Sequence, residues 1–302
     1  MNVRLIIGLQ HIYIVPSILL YLAEFCYIIC SRDDEFSSAF YYIFLIRAPA
    51  DMIQVTTSLI TFRYPVAGWT AVLDKPYVAK IGFALTNFAC NIELFTQLML
   101  SINRLTAICY PMKHSRWWTL KRTIRLFACG ATMSMITPII RIFQEAGYVA
   151  VDGKIVPYLI NENYQQLNSY ISSAIYSSFC ISCFSLNAAA LFKHSQQRNV
   201  KIFDQQFAMA RRLQLNLLVY SSAFTLAIIS MTIFQCMLAL NVFPLQTDAH
   251  ALVIIMLTLS ADSFALANPW LLLSLSSTFR TKFLKFKSSS SLPHSMHSVY
   301  TV

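Results

Sequence analysis

The sequence predicts an all-α membrane protein, a seven-transmembrane helix bundle with its N-terminus outside. Hydrophobic residues make up 57% of the 302 residues and charged residues only 12%, whereas soluble domains carry about 25% charged residues. Seven apolar stretches are long enough to cross a bilayer, which takes about 20 residues in a helix. Lysine and arginine are unequally divided between the connections, and this division predicts the orientation.

Each of the seven stretches is a nearly uninterrupted apolar run. None alternates between polar and apolar residues, so helices are favoured over a β-barrel. The fourth stretch is the weakest, because Arg125 and Arg141 lie near its ends. The spans are predicted at 5–30, 36–62, 81–110, 124–143, 169–192, 213–240 and 249–278.

The orientation follows from the cations. The first, third and fifth connections and the C-terminal tail carry 14 lysines and arginines, against 5 in the N-terminus and the other connections. Cytoplasmic loops are enriched in these residues, so the tail is predicted in the cytoplasm. The charges around the first span give a weak or reversed local signal, since Arg4 precedes it and three acids follow Arg32. The predicted orientation rests on the total count of 14 against 5 cations and not on this local signal.

The chain is predicted to form one membrane domain, residues 1–287, followed by a serine-rich cytoplasmic tail, 288–302, that we interpret as disordered. Phenylalanines and cations interleave over 279–287, which is typical of a short amphipathic helix on the inner leaflet or of a basic juxtamembrane segment. The net charge of +10 is explained by the cytoplasmic connections, so the expected surroundings are the lipid bilayer and not nucleic acid.

Several function classes find no support in the sequence. P-loop, Gly-x-Ser-x-Gly and zinc-hydrolase motifs are absent, so we expect neither an enzyme nor a bound cofactor or metal. The eight cysteines all lie in apolar runs, where the simplest interpretation is small buried side chains.

Charged residues inside the spans are candidates for structural or functional sites, because a charge at mid-bilayer costs at least about 2.5–3.5 kcal/mol. Arg47 and Asp51 lie four residues apart and share one helix face, as either a structural ion pair or a functional site. In the seventh span Asp262 and Asn268 precede Pro269, whose missing N–H leaves backbone groups that polar neighbours must satisfy.

A polar stripe runs along the third span. Its members recur every three or four residues and are Thr86, Cys90, Glu93, Gln97, Ser101 and Arg104. This spacing places them on one helix face, which should point into the bundle. Arg104 lies about 16 Å beyond Glu93, towards the cytoplasm. For Gln97 and Ser101, contacts between helices are the simpler interpretation and ligand contacts the alternative.

Local motifs carry a family resemblance. Residues 100–111 read LSINRLTAICYP, residues 113–118 KHSRWW, residues 16–21 PSILLY and residues 268–273 NPWLLL. The first resembles the S-x-N-R-x-x-A-x-x-x-P pattern that closes helix three of nematode serpentine chemoreceptors. Together these motifs resemble the class gamma superfamily of those receptors, class gamma or class V, over nearly the whole chain.

The resemblance implies a chemosensory, GPCR-like receptor in the plasma membrane of a sensory cilium. Such a receptor binds a small-molecule ligand and couples to a heterotrimeric G protein. Arg104 would be the cytoplasmic switch arginine, and Asn103 stands where rhodopsin-like receptors carry an acid. Asp51 would face Asn268. The chain departs from rhodopsin-like receptors at Leu272, which replaces a tyrosine, and no cysteine pair ties helix three to the second outer loop.

The leading hypothesis is therefore a ligand-activated receptor. Glu93, Gln97 and Asp262 would line the lower part of a pocket among helices three, five, six and seven. Asn103, Arg104, Arg211 and Arg212 would form the switch and the G-protein surface. The alternatives are a seven-helix ligand-gated channel, which would have its N-terminus inside, a transporter subunit, which should show repeated halves, and a non-signalling scaffold.

Overall fold

The computed structural model describes residues 3–31, 36, 38–69, 74–151, 154–198, 205–243, 247–276 and 279–284. Seven described helices are long and apolar enough to cross a membrane, which confirms the predicted seven-helix bundle. The tail at 288–302 lies outside the described residues. The spanning helices are α1 Val3–Cys30, α2 Ala39–Val66, α3 Pro76–Cys109, α4 Leu120–Ile142, α5 Glu162–Arg198, α6 Gln205–Ala239 and α7 Asp248–Leu275.

Most of the helices extend beyond the apolar runs that predicted them. Helix α3 begins at Pro76, a residue suited to a first helical position because its missing N–H would have no partner there. Helix α2 ends where Gly68 adopts a φ of 78°. There the N–H of Gly68 donates to Pro65 O and the N–H of Trp69 to Tyr64 O, both at 2.9 Å. These bonds satisfy the last carbonyls of the helix.

Helix α3 lies at the centre of the bundle, in contact with α2, α4, α5 and α6, while α7 contacts α1, α2 and α6. The apolar segments of α2, α3 and α7 are 61%, 56% and 50% buried, against 22–33% for α1, α4, α5 and α6. The outer helices expose large apolar side chains such as Ile12 and Leu19. In a spanning bundle this is the surface that lipid covers.

A second difference from the prediction lies after α7. The segment 279–284 is helical, but Phe279 is fully buried in the bundle and does not face lipid. Its ring lies 5.8 Å from the ring of Tyr27 and 5.4 Å from that of Phe283. These phenylalanines, four residues apart, cover the aromatic end of α1, so the segment packs as part of the bundle.

A β-hairpin occupies the fourth connection, for which the sequence analysis made no structural prediction. Strands β1 Ala146–Val151 and β2 Lys154–Leu159 pair antiparallel, with Ala146 opposite Leu159 and Val151 opposite Lys154. Only Asp152 and Gly153 separate the strands, and Asp-Gly is a strong two-residue hairpin signal. The hydroxyl of Tyr148 donates to the carbonyl of Thr61 at 3.3 Å, which fastens the hairpin to α2.

A π-helical segment, Ser58–Arg63, interrupts α2. A π turn accommodates one extra residue, so Arg63 points where residue 62 would point in a regular helix. That direction continues the buried face of Asp51 and Ser58. The sequence analysis ended the second span at residue 62, which left Arg63 in the second connection, and this was wrong. Arg63 is 1% exposed, and its Nη2 lies 2.6 Å from Oδ2 of Asp262 on α7.

The Arg63–Asp262 pair yields a stability prediction. Asp262→Asn removes the anion and leaves Arg63 buried without a counter-charge, a change that costs about 3–5 kcal/mol in proteins where it has been measured. We expect a clear fall in the melting temperature of the full chain in lipid nanodiscs. The double variant Arg63→Met/Asp262→Leu removes both charges and should recover most of that loss. A melting temperature for Asp262→Asn equal to the wild type would contradict an energetic role for the pair.

Two glycines give a matched test of helix packing. A Cβ at Gly130 on α4 would overlap the ring of Phe95 on α3, whereas a Cβ at Gly8 on α1 meets nothing within 4 Å. Glycine to alanine favours a helix by about 0.8–1.0 kcal/mol. We therefore expect Gly8→Ala to keep or raise the melting temperature and Gly130→Ala to lower it. Equal melting temperatures for the two variants would argue against close α3–α4 packing.

Candidate functional site

A cavity of about 510 Å³ lies at the end of the bundle that carries the β-hairpin, here called the hairpin end. Helices α2 to α7 and strand β2 all contribute to its wall. The volume falls within the range of about 300–1,000 Å³ that is usual for small-molecule sites. Apolar side chains form much of the wall, among them Phe62, Phe83, Leu159, Ile254 and Leu257.

The polar groups of the cavity come from six helices, since Gln235 on α6 also belongs to the wall. They include Gln54, Thr86, Asn87, Arg141, Tyr176 and Thr258. The thiol of Cys90 donates to Oε1 of Gln54 at 3.3 Å, which joins α3 to α2 within the cavity wall. The hydroxyl of Thr137 donates to Oδ1 of Asn87 at 2.5 Å and so joins α4 to α3. Several helices therefore meet at this cavity through hydrogen bonds.

The three residues predicted to line the pocket lie beneath it. Glu93 and Gln97 are fully buried and Asp262 is 1% exposed, and none is among the residues of the cavity wall. Glu93 is one helical turn beyond Cys90, and Asp262 follows Ala261, both of which line the cavity. Glu93 and Asp262 therefore lie next to the cavity wall, where Asp262 pairs with Arg63, while Gln97 lies about two helical turns below Cys90.

The structure brings the predicted polar core together. Nε of Arg47 lies 3.0 Å from Oδ1 of Asp51, and Nη2 of Arg47 donates to the carbonyl of Phe264 at 3.0 Å. The amide of Asn268 donates to Asp51 at 3.2 Å. Tyr21, which the sequence analysis did not select, donates its hydroxyl proton to Asp51 at 2.5 Å and accepts from Asn268 at 2.8 Å. This cluster joins α1, α2 and α7.

The guanidinium of Arg47 is also enclosed by aromatic rings. Its central carbon lies 4.3 Å from the ring centroid of Phe264 and 4.8 Å from that of Phe224. Cation–π contacts of this kind strengthen when water is excluded. Glu93 on α3 interacts electrostatically with both Arg47 and Asp51. The cluster therefore extends to α3 directly below the cavity.

Gln97 connects three helices. Its Nε2 donates to the carbonyl and the hydroxyl of Ser221 on α6, both at 3.3 Å. Ser221 donates to Oδ1 of Asn187 on α5 at 2.9 Å, and Asn187 donates to Thr225 at 2.8 Å. Such hydrogen bonds are worth about 0.6 kcal/mol each in measured membrane bundles. The position of Gln97 fits the interpretation of a contact between helices.

Arg104 lies at the opposite end of α3, which we call the Arg104 end. It is 7% exposed, and its guanidinium carbon lies 4.8 Å from the ring centroid of Phe40 on α2. Its Nη2 and the side-chain nitrogen of the adjacent Asn103 are both buried without a hydrogen-bond partner in the described part of the chain. The structure gives Arg104 an aromatic neighbour but, among the described residues, no ion pair.

The short helix Pro111–Trp117 follows α3 and packs back against it. The indole N–H of Trp118 donates to Oγ1 of Thr106 at 2.9 Å, and His114 Nδ1 lies 3.3 Å from the same oxygen. Partial burial, and then the Arg104 cation, lower the pKa of His114 below its usual value. The imidazole is therefore neutral near pH 7.

Arg211 and Arg212 fall within α6, but their side chains lie outside the described part of the structure, so their predicted role is untested.

Sequence reasoning missed several residues of the site. It assigned no role to Arg141, which it noted only as a charge near the end of the weak fourth span. Tyr21 could have been found from the sequence, because Ser17, Tyr21 and Glu24 recur at helical spacing and so share one helix face. In the structure all three are buried. No comparable signal marked Arg63, since the π segment shifts the helical register.

Comparison with known proteins agrees with this architecture. No curated protein matches the chain. The family described as serpentine type 7TM GPCR chemoreceptor Srv matches residues 10–288, a range that includes most of α1 and all six other spanning helices. The match selects class V from the two classes that the motifs suggested. The chain belongs to the Srv family of serpentine seven-transmembrane chemoreceptors.

Proposed function

We propose that the chain is a chemosensory receptor that binds a small ligand in the cavity at the hairpin end and couples to a heterotrimeric G protein at the Arg104 end. One observation carries the proposal. A ligand-sized cavity and a buried arginine without an ion pair among the described residues lie on the same central helix, α3. Buried polar residues of α3 occupy the turns between them.

The proposed orientation puts the N-terminus outside. The positive-inside count supports it, and placing Arg63 inside α2 removes a cation from the outer side, which increases the asymmetry. The fourth connection then lies outside, so the cavity faces the side from which a ligand arrives. Arg104 then lies on the cytoplasmic side. Family membership supports a receptor, and we place it in the plasma membrane of a sensory cilium.

In this proposal the cavity wall contacts the ligand, and Glu93, Gln97 and Asp262 transmit its effect. Each of the three interacts with another helix below the cavity: Glu93 with α2, Asp262 with α2 and, deeper in the bundle, Gln97 with α6. A ligand that favours one arrangement of these contacts shifts the equilibrium between inactive and active states by its difference in affinity. The shift reaches Arg104 through α3.

The cytoplasmic surface would comprise Asn103, Arg104, Arg211 and Arg212. An acid at position 103 would offer Arg104 a counter-charge, but this chain has asparagine there. The contact with Phe40 then holds the guanidinium in its place. Movement of α6 relative to α3 would expose Arg104 to a partner. The channel and transporter alternatives gain nothing from the family match, because Srv is a receptor family.

The signalling role of Arg104 can be tested by Arg104→Ala. We expect ligand-evoked second-messenger signalling to be lost while the amount of receptor at the cell surface is unchanged. Arg104 has no ion pair among the described residues, so its removal leaves no buried counter-charge unpaired. The measurement is a second-messenger readout in receptor-expressing cells exposed to a small-molecule panel.

The control for Arg104→Ala is Lys113→Ala, which removes an exposed cation from the same end of the bundle and should signal normally. Ligand-evoked signalling that survives in Arg104→Ala at equal surface level would rule out the switch role.

The orientation has its own test. An epitope at the N-terminus should bind antibody on intact cells, because the proposed topology puts it outside. An epitope at the C-terminus of the same chain serves as the internal control and should be reached only after permeabilisation. The reverse pattern, with the N-terminus reached only after permeabilisation, would overturn the proposed orientation and favour the channel alternative.

A further inference from the structure

Arg141 is the only arginine or lysine in the cavity wall among the described residues. It lies at the end of α4, next to the hairpin. Its Nε donates to Oδ1 of Asn168 at 2.7 Å and its Nη1 to the carbonyl of Phe83 at 3.2 Å. Both acceptors are neutral. These bonds hold the guanidinium in place between α3 and α5 without cancelling its charge.

No described carboxylate forms an ion pair with Arg141. The side chains that interact electrostatically with its guanidinium are Tyr164, Tyr176 and Cys90. Tyrosine and cysteine are ordinarily protonated at neutral pH, so none of the three supplies a negative charge. Burial of a cation without a counter-charge is unfavourable, and an anion in the cavity would offset that energy. In contrast, Arg47 and Arg63 each have an aspartate partner.

The geometry of Arg141 favours a planar anion. Arginine has five N–H donors, and the bonds to Asn168 and Phe83 occupy one on Nε and one on Nη1. The remaining donors are on Nη1 and Nη2, the edge that binds a carboxylate through two parallel hydrogen bonds.

The rest of the wall favours an apolar body attached to that head group. Phe62, Phe83, Ile254 and Leu257 offer it an apolar surface. Glu162 also belongs to the wall and is exposed, and its carboxylate opposes a ligand that carries more than one negative charge. The site therefore fits one negative charge on an apolar molecule.

We propose that the ligand is a small amphipathic monocarboxylate whose head group pairs with Arg141 and whose apolar body lies against the aromatic and aliphatic wall. The inference rests on the proposed function, since it takes the cavity to be the receptor's ligand site. It adds the chemical class of the ligand and the residue that recognises it.

The test compares three probes that share one chain but differ in head group: decanoate, decanamide and decan-1-ol. Binding is measured as the shift in melting temperature of the full chain in nanodiscs, and signalling by the second-messenger readout. Decanoate should bind the wild type at least tenfold more tightly than the two neutral probes. Arg141→Gln should reduce decanoate affinity at least tenfold and leave the neutral probes unchanged.

Two further variants keep the result interpretable. Arg141→Lys retains the charge but loses the planar donor edge, so it should bind decanoate with intermediate affinity even if Arg141→Gln folds poorly. Arg125→Gln removes an exposed arginine from the same helix and should bind like the wild type. Equal affinity of the wild type for decanoate and decan-1-ol, or no detectable decanoate binding, overturns the monocarboxylate proposal.

A cavity-filling variant distinguishes a failure of the monocarboxylate proposal from a failure of the proposed receptor function. Leu257→Trp should abolish the binding of every probe and every panel hit. If neutral molecules bind and Leu257→Trp blocks them, the cavity is the ligand site and only the carboxylate inference fails. If signalling by any agonist persists in Leu257→Trp, the cavity is not the ligand site and both proposals fail.

Discussion

Arg47 and Asp51 are buried where α1, α2 and α7 meet, and the packing of these helices depends on satisfying both charges. In hydrocarbon no water is available, so the protein must supply each hydrogen bond. Tyr21 and Asn268 approach the carboxylate from α1 and α7, while the carbonyl of Phe264 accepts from the guanidinium. Each contact restricts the depth and rotation of one helix. A shift of α7 by one residue would separate Asn268 from Asp51 and Phe264 from Arg47 together.

The same constraint organises α3. Its inward face carries polar groups over successive turns, and several of them contact neighbouring helices. Cys90 bonds to Gln54 on α2, Glu93 interacts with the Arg47 cluster, and Gln97 bonds to Ser221 on α6. Such contacts are individually weak, so two arrangements of the helices can differ little in free energy. Under the proposed function, a central helix held by such contacts is one whose position a ligand could shift.

The sequence predicted the seven spans and the inward polar stripe because both follow from composition and helical period. The pairing of Arg47 with Asp51 followed from their spacing, and the family resemblance implied that Asp51 faces Asn268. Three features escaped prediction for different physical reasons. The π segment shifts the register of α2, so helical spacing does not place Arg63 on its buried face. The hairpin signal Asp152-Gly153 was present in the sequence, but the sequence analysis did not use it. The cavity wall draws residues from six helices, and no single helix pattern reveals such a surface.

The buried and partly buried arginines differ in whether they have an ion-pair partner, and the two that have none lie at opposite ends of the bundle. Arg47 and Arg63 lie in the interior, and each pairs with an aspartate. Arg141 at the hairpin end and Arg104 at the opposite end have no ion pair in the described part of the chain, although Arg104 is buried and Arg141 partly so. Charges that only hold a bundle together gain from a permanent partner. A buried charge that has no ion-pair partner, whether in a cavity or at a helix end, can still form an ion pair with a ligand or another protein. Under the proposed function, Arg141 and Arg104 lie where the receptor would meet the ligand and the signalling protein.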